Sequence, residues 1–546
     1  MGSSAEAEEK PSAIGHAEAE DADPAGQKDW SHAQGQQGAD NERSMTLWQA
    51  VKAYPGAILW SFLLSSSIIM EGYDIVLIGN LMAQPSFQRA YGGWYGDELG
   101  WQISGPWQAG LGNATAVGTI FGAFANGWLT QKFGYRRTLV ASLAAVTGFI
   151  FITFFAQNLP MLLVGSTLCG LPWGVFATMA PAYASEICPM ALRGYLANYV
   201  CLCWALGQLM AAGVLFSFES NPTQWAFRIP FGLQWMWPIP LMIVLWFTPE
   251  SPYWLARRNR LDEARHVLKR ISAKGSISEE DLDKQLAMIV HTNKIESEHS
   301  GGTSYLDCFK GINLRRTEIV CVVFMAQNTT GVAIGGTPTY FFLQAGVDSS
   351  NAFKFATGAL GLASVGVIIS WFLMYRIGRR TMYVWACGAC CVLMLLIGIL
   401  ASVPQSPAIS FGQAALVLVW EVVFYASLGP ICYAIIGEIP AVAVRSKSVC
   451  LSRIAYYLTQ ILNNTINPYM INPTEGNWKG KVGYFWAGLS LLTFIWTFFR
   501  LPETKGRTFE EIDIMFADKI PARKFSKTKV DAYADAENRV VRETGV

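Results

Sequence analysis

The sequence predicts an all-α membrane protein of twelve transmembrane helices arranged as two six-helix halves. Three observations carry that prediction: few charges among many apolar residues, apolar blocks of membrane-crossing length, and loop motifs that occur twice in the same order. Of 546 residues, 52% are hydrophobic and 15% charged, whereas a soluble domain is nearer one quarter charged. The 20 Trp and 31 Phe suit a lipid-facing exterior with aromatic interfaces. A net charge of +1 gives no basis for a nucleic-acid partner.

A helix crosses the hydrocarbon core in about 20 residues. Blocks of that kind lie near 57–82, 107–130, 138–157, 160–183, 195–217, 231–248, 317–343, 352–375, 382–403, 411–436, 448–471 and 482–500. Unpaired backbone groups cannot sit in lipid, so the blocks are expected to be helices. Residues 1–44 are acidic and Gly/Ala-rich and lack the apolar core of a signal peptide. The expected division is a disordered cytosolic tail over 1–50, an N-terminal half over 51–248, a cytosolic linker with short helices over 249–316, a C-terminal half over 317–500, and a cytosolic tail over 501–546.

Lys and Arg orient the chain. They fill the loops after block two (Lys132, Arg136, Arg137), block four (Arg193), block eight (Arg376, Arg379, Arg380) and block ten (Arg445, Lys447). The connections after blocks three, seven and nine carry none. Even-numbered loops and both termini are therefore expected in the cytoplasm, with Lys479 and Lys481 a local exception. The eleven Cys residues fall in helices or cytosolic segments and read as reduced packing thiols rather than metal ligands, because no His or carboxylate flanks them.

The repeat is in the loops. Gly134-Tyr135-Arg136-Arg137 returns as Gly378-Arg379-Arg380, Glu186 with Arg193 as Glu438 with Arg445, and Pro249-Glu250-Ser251 as Pro502-Glu503-Thr504. Parallel halves of this kind place a solute site at their interface near the midplane and expose it by rocking. Ion pairs between the halves at these helix ends could latch one state. The arginines fit either a latch or topology alone; Glu186 and Glu438 favour the latch, since topology does not require acids.

These motifs resemble the sugar-porter branch of the major facilitator superfamily. A nearer resemblance, to fungal maltose and α-glucoside permeases, rests on Glu71-Gly72-Tyr73-Asp74, Leu168-Cys169-Gly170-Leu171-Pro172-Trp173-Gly174, Tyr183-Ala184-Ser185-Glu186-Ile187-Cys188-Pro189 and Leu202-Cys203-Trp204-Ala205-Leu206-Gly207-Gln208-Leu209. The resemblance implies the major facilitator fold and proton-coupled saccharide uptake across a fungal plasma membrane. It also implies gating roles for Arg136, Arg137, Glu186, Arg193, Glu250, Arg379, Arg380, Glu438, Arg445 and Glu503.

Ionisable residues inside a membrane are costly without a purpose. Glu71 and Asp74 share one helical face, and desolvation with mutual repulsion brings proton uptake within reach of neutral pH. They are the expected proton-coupling pair, or else a hydrogen-bonded polar kink. Arg453 is the expected counter-charge to Asp74, with snorkelling as its bland alternative. Glu421 reads as lying near the outer end of its helix, in a solvated or gate-lining role. Two positions depart from the resemblance: Ser166 stands where many sugar–proton symporters hold a helix-four Arg, and Thr119 where the α-glucoside permeases commonly hold an acid.

An amide offers a donor and an acceptor to a hydroxyl, and an aromatic face covers a pyranose. Gln208, Gln327, Asn328, Tyr433, Gln460 and Asn464 are the expected substrate contacts, with Asn463 beside them and Cys201 where hexose carriers hold a second Gln. Such amides also serve as glue between helices. The expected function is transport of a saccharide by alternating access, with protons and the bilayer as further partners and no cofactor. Export of another hydroxylated metabolite and nutrient sensing are the alternatives. No catalytic triad, metal set or Walker-type loop points to an enzyme.

Overall fold

The computed structural model describes residues 37–38, 41–42, 44–97, 100–300, 304–441, 444–505, 507, 509–530 and 540–542. The tail expected over 1–50 lies, for residues 1–36, outside the described residues, as does much of 531–546. Twelve membrane helices account for the described halves. They are α1 Pro55–Leu81, α2 Gly105–Phe133, α3 Tyr135–Phe154, α4 Leu159–Ile187, α5 Met190–Ser217 and α6 over 225–245, then α7 over 311–344, α8 Ser349–Arg376, α9 Arg379–Ser402, α10 Pro407–Glu438, α11 Arg445–Ile471 and α12 Val482–Arg500.

Eight helices are long and apolar enough to cross a membrane by length and composition alone. The other four are α2, α6, α7 and α11. Of these, α6 and α7 are divided into short segments, while α2 and α11 carry the Gly, Asn and Gln that face the neighbouring half.

Local chemistry sets the helix ends. Asn158, Asp348 and Ser406 accept the backbone N–H of Met161, Asn351 and Ile409, capping α4, α8 and α10. Gly134, at φ 87°, turns the chain from α2 into α3. The breaks have equally local causes. In α7 the helix stops at Gly331, at φ 102°, and α10 passes through a π turn over Phe424–Leu428 just before Gly429-Pro430. Carbonyls near these irregular turns find side-chain donors. Trp420 Nε1 donates to Thr330 O at 2.9 Å, Asn467 Nδ2 to Ala333 O at 3.1 Å and Gln327 Nε2 to Gly429 O at 3.0 Å.

The repeat is visible in the packing. In the N-terminal half α1 packs on α5, α2 on α4 and α3 on α6; in the C-terminal half α7 packs on α11, α8 on α10 and α9 on α12. The halves meet along α2 with α11 and α5 with α8, two contacts that exchange under the same repeat. The tightest pairing is α2 with α4. A Cβ at Gly118 would lie 2.1 Å from Thr167 O, and one at Gly174 2.2 Å from Thr119 O. Only glycine permits that approach.

The linker is built onto the N-terminal half. Helices Leu261–Ile271 and Glu279–Ser300 bury Val267, Leu268, Ile271, Leu282, Leu286 and Ile289 in one apolar cluster with Tyr54 and Ile187. Ala50 joins the same cluster from a short helix, Leu47–Ala53, inside the segment expected as a tail. Beyond α12, helix Phe509–Ala517 places Ile512, Met515 and Phe516 in the apolar core, and Asp513 pairs with Arg316.

Candidate substrate cavity and its ionisable residues

Glu71 and Asp74 lie on α1 and are 5% and 4% exposed. A carboxyl group so buried needs partners. Asp74 finds two neutral ones: Gln234 Nε2 donates to Oδ1 at 2.9 Å and Trp173 Nε1 to Oδ2 at 3.2 Å. Gln234 reaches Asp74 from the 3-10 turn Gln234–Met236 that interrupts α6 ahead of Pro238. The sequence reading missed Gln234; the Pro-rich interruption of block six was the available signal. Trp173 was part of a quoted motif, but its role follows only from the contact.

Arg453 stands within an aromatic cage. Its guanidinium lies 4.8 Å from the Phe324 ring centre, 5.6 Å from Tyr433 and 6.0 Å from both Trp204 and Tyr456. Four rings from α5, α7, α10 and α11 hold the cation between the halves, which is not the setting of a snorkelling side chain. The hydrogen-bond partners of Asp74 are neutral, and among the described residues no ion pair joins Arg453 to Asp74.

All six expected substrate contacts, Gln208, Gln327, Asn328, Tyr433, Gln460 and Asn464, line one cavity between the halves, together with Glu71 and Asp74. Several amides also bind helix to helix. Asn328 Nδ2 donates to Tyr456 O at 2.9 Å, Asn464 Nδ2 to Gly112 O at 2.8 Å, and Gln208 Oε1 accepts from Tyr425 OH at 2.9 Å. Cys201 lines the cavity at the expected place. The departures behave differently: Ser166 is 1% exposed within α4, and the Thr119 hydroxyl is turned onto Thr115 O at 2.8 Å.

Glu421 corrects the sequence reading. It is 1% exposed and lines the same cavity, rather than meeting solvent at an outer helix end. Glu421 is near the middle of α10, which runs Pro407–Glu438, and the α7 break at Gly335 closes against it.

The motif residues converge at the ends of the helices. Glu250 accepts the backbone N–H of Tyr135 at 2.5 Å and of Arg136 at 3.4 Å, and Glu503 accepts that of Arg379 at 2.7 Å. Each carboxylate thus caps the first turn of α3 or α9, where a helix favours negative charge. A Cβ at Gly134 or Gly378 would lie 2.8 or 2.2 Å from that carboxylate, so a larger residue there would displace the capping side chain. Burial pushes the Glu250 carboxyl above its ordinary range, against the backbone amides that favour the charged form.

The expected pairing between halves is not what the acids make. Glu186 pairs with Arg257 of the linker at 2.8 Å and accepts from Ser251. Glu438 pairs with Arg379 at 3.2 Å and accepts from Thr504 at 2.5 Å. Both acids therefore bind on their own side of the molecule. Arg193 turns to Glu42 at 3.5 Å and to Cys188 O at 3.0 Å, Arg380 to Phe498 O at 2.8 Å, and Arg445 opens α11. Arg137 lies on the exposed flank of α3. Spacing along the chain had linked Glu186 to Arg193, but the helix that starts at Pro252 brings Arg257 nearer.

Residues 60–516 match the family described as sugar (and other) transporter. The chain belongs to that family. It is 38% identical over 504 residues to a general alpha-glucoside permease of Saccharomyces cerevisiae, covering 91% of this chain and 81% of that one. A maltose permease of the same yeast is 39% identical over 502 residues, covering 91% and 82%. Among solved structures, a partially occluded inward-open form of the xylose transporter XylE from E. coli superposes with a TM-score of 0.68 at 16% identity, covering 83% of this chain and 99% of that one. XylE bound to 6-bromo-6-deoxy-D-glucose gives 0.67 at 18%, covering 84% and 99%. These likenesses establish the major facilitator fold. This transporter is an integral membrane protein of two six-helix halves, and its chemistry is binding and conformational change rather than catalysis.

Proposed function

We propose that this transporter carries an α-linked glucoside of the maltose class into the cell together with protons, by alternating access. The observation that supports this most is the convergence of six amide and aromatic side chains, from α5, α7, α10 and α11, on one cavity that also holds the α1 acids. Amides match hydroxyls, and the rings of Trp204, Tyr433 and Tyr456 offer faces to a pyranose. The names of the two yeast permeases favour an α-glucoside. Asp74 and Glu71 exchange the proton, and Arg453 supplies the positive charge that acts on Glu71. The residue sets at Glu186 and Glu438 latch each half at its motif-bearing end, and the halves rock as units, the first carrying the linker helices Leu261–Ile271 and Glu279–Ser300 and the second beginning with α7. The protein resides in a plasma membrane with both termini in the cytoplasm.

The experiment is uptake of labelled maltose and other sugars by a yeast lacking its own α-glucoside carriers, with a pH electrode in the medium. Accumulation against a gradient with alkalinisation is expected. Uptake without alkalinisation would remove the proton, and no uptake of any α-glucoside would remove the substrate. A tag at residue 1 or 546 should resist protease outside intact cells.

A further inference from the structure

Glu421 is a cavity carboxylate with neither oxygen hydrogen-bonded among the described residues. No Lys or Arg is among the described residues that line the cavity, so it has no cation there to offset it. Leaving such a group buried and unpaired carries a large desolvation penalty. The fold nonetheless places it with care. Gly335, on the short α7 segment Val332–Gly335, approaches so closely that a Cβ there would lie 2.6 Å from Glu421 Oε1. The neighbouring Trp420 is tied to Thr330 O in the same α7 break, and the π turn of α10 follows within a turn. Irregular turns of this kind recur at functional sites.

We propose that Glu421 is a substrate-contacting, specificity-determining residue that reads a pair of neighbouring hydroxyls on the sugar from the α7–α10 side of the cavity. A carboxyl group offers two oxygens in one plane, which suits a vicinal diol, and both oxygens are free of protein partners. The other cavity amides divide their capacity between solute and backbone, as Asn328, Gln327 and Asn464 do. A site built to bond a hydroxyl rejects the analogue that lacks it, so discrimination concentrates where the group has no other partner. The inference rests on the reading of the chain as a sugar transporter.

The test is competition of labelled maltose uptake by a panel of monodeoxy-maltoses, in wild type, Glu421→Gln and Glu421→Ala, normalised to protein at the cell surface. Wild type should discriminate at least about tenfold against one or two deoxy positions. Both variants should flatten the profile at those positions while keeping it elsewhere, Ala more than Gln. Because Gln is isosteric, it keeps the measurement possible if Ala fails to fold. A variant profile identical to wild type overturns the inference, as does loss of accumulation with the profile intact, which would make Glu421 a proton carrier instead. Failure of the sugar reading is separate: wild type would then take up no maltose.

Discussion

Asp74 accepts from two neutral donors, Gln234 and Trp173, at the wall of the cavity. Asp74→Asn keeps the shape and fixes the neutral form; its oxygen accepts from Trp173, and its NH2 is matched when Gln234 turns its own amide oxygen toward it. Accumulation against a gradient should be lost while exchange of solute down its gradient persists. Sugar-induced alkalinisation of the medium measures this, and a variant that still accumulates would move coupling off Asp74. In the pocket, Gln327 commits its Nε2 to Gly429 O, which leaves its oxygen for a hydroxyl, while Tyr433 is both a cavity wall and one ring of the Arg453 cage. Gln327→Ala and Tyr433→Ala should each weaken sugar binding by about 1–3 kcal/mol. Binding titrations on purified protein check this; affinity that survives both changes would place the site elsewhere.

Elements carry the next set of consequences. The α2–α4 contact leaves no room for a side chain, since a Cβ at Gly118 meets backbone oxygen, and backbone cannot step aside as a flexible side chain can. Gly118→Ala should therefore deplete monodisperse protein in size-exclusion chromatography. Gly127→Ala, on the same helix with nothing within 4 Å of its Cβ, should not. At the helix ends, Arg257→Ala removes the partner of Glu186, while Arg193→Ala leaves that pair in place. The first should slow cycling more than the second, with substrate affinity changed less than tenfold (about 1.4 kcal/mol) in both. Pre-steady-state transport currents separate the two quantities. The pair is partly exposed, with Arg257 42% and Glu186 17% accessible, so its effect on stability is small, and the expected consequence of its loss is on the rate of cycling.

The whole molecule is two halves that meet along α2–α11 and α5–α8. On the face away from the motif loops, hydrogen bonds join them: Asn113 Nδ2 to Thr465 Oγ1 at 2.8 Å, Asn464 Nδ2 to Gly112 O at 2.8 Å, Gln108 Nε2 to Tyr340 OH at 3.3 Å and Asn472 Nδ2 to Ile103 O at 2.9 Å. Each is worth only about 1 kcal/mol, yet states that interconvert during transport differ by a few kcal/mol. Asn113→Ala combined with Asn464→Ala should shift the population toward the conformer open on that face. Cys201, buried in the cavity, reports the shift: a thiol reagent supplied from that face should label it faster in the double variant, as mapped by mass spectrometry. Unchanged labelling would mean that other contacts hold the face closed.

The sequence by itself determined the twelve blocks, the repeat and the set of polar residues that share the cavity. Each of these is a local signal: apolar length, a motif copied in order, or an amide inside a membrane helix where it needs a reason to be. Gln208, Gln327 and Tyr433 could be named because the resemblance to sugar porters singles out such positions among the polar residues that a membrane helix makes conspicuous. What only the tertiary structure decided was who faces whom. Glu186 is nearer in sequence to Arg193 but binds Arg257, because a helix restart at Pro252 folds the linker back. Gln234 reaches Asp74 because α6 breaks, and Glu421 lies in the cavity rather than at an expected rim because the α7 break closes against mid-α10. A buried charge takes its partner from the elements that close around it, and that choice depends on where helices break and cross, which no spacing along the chain encodes.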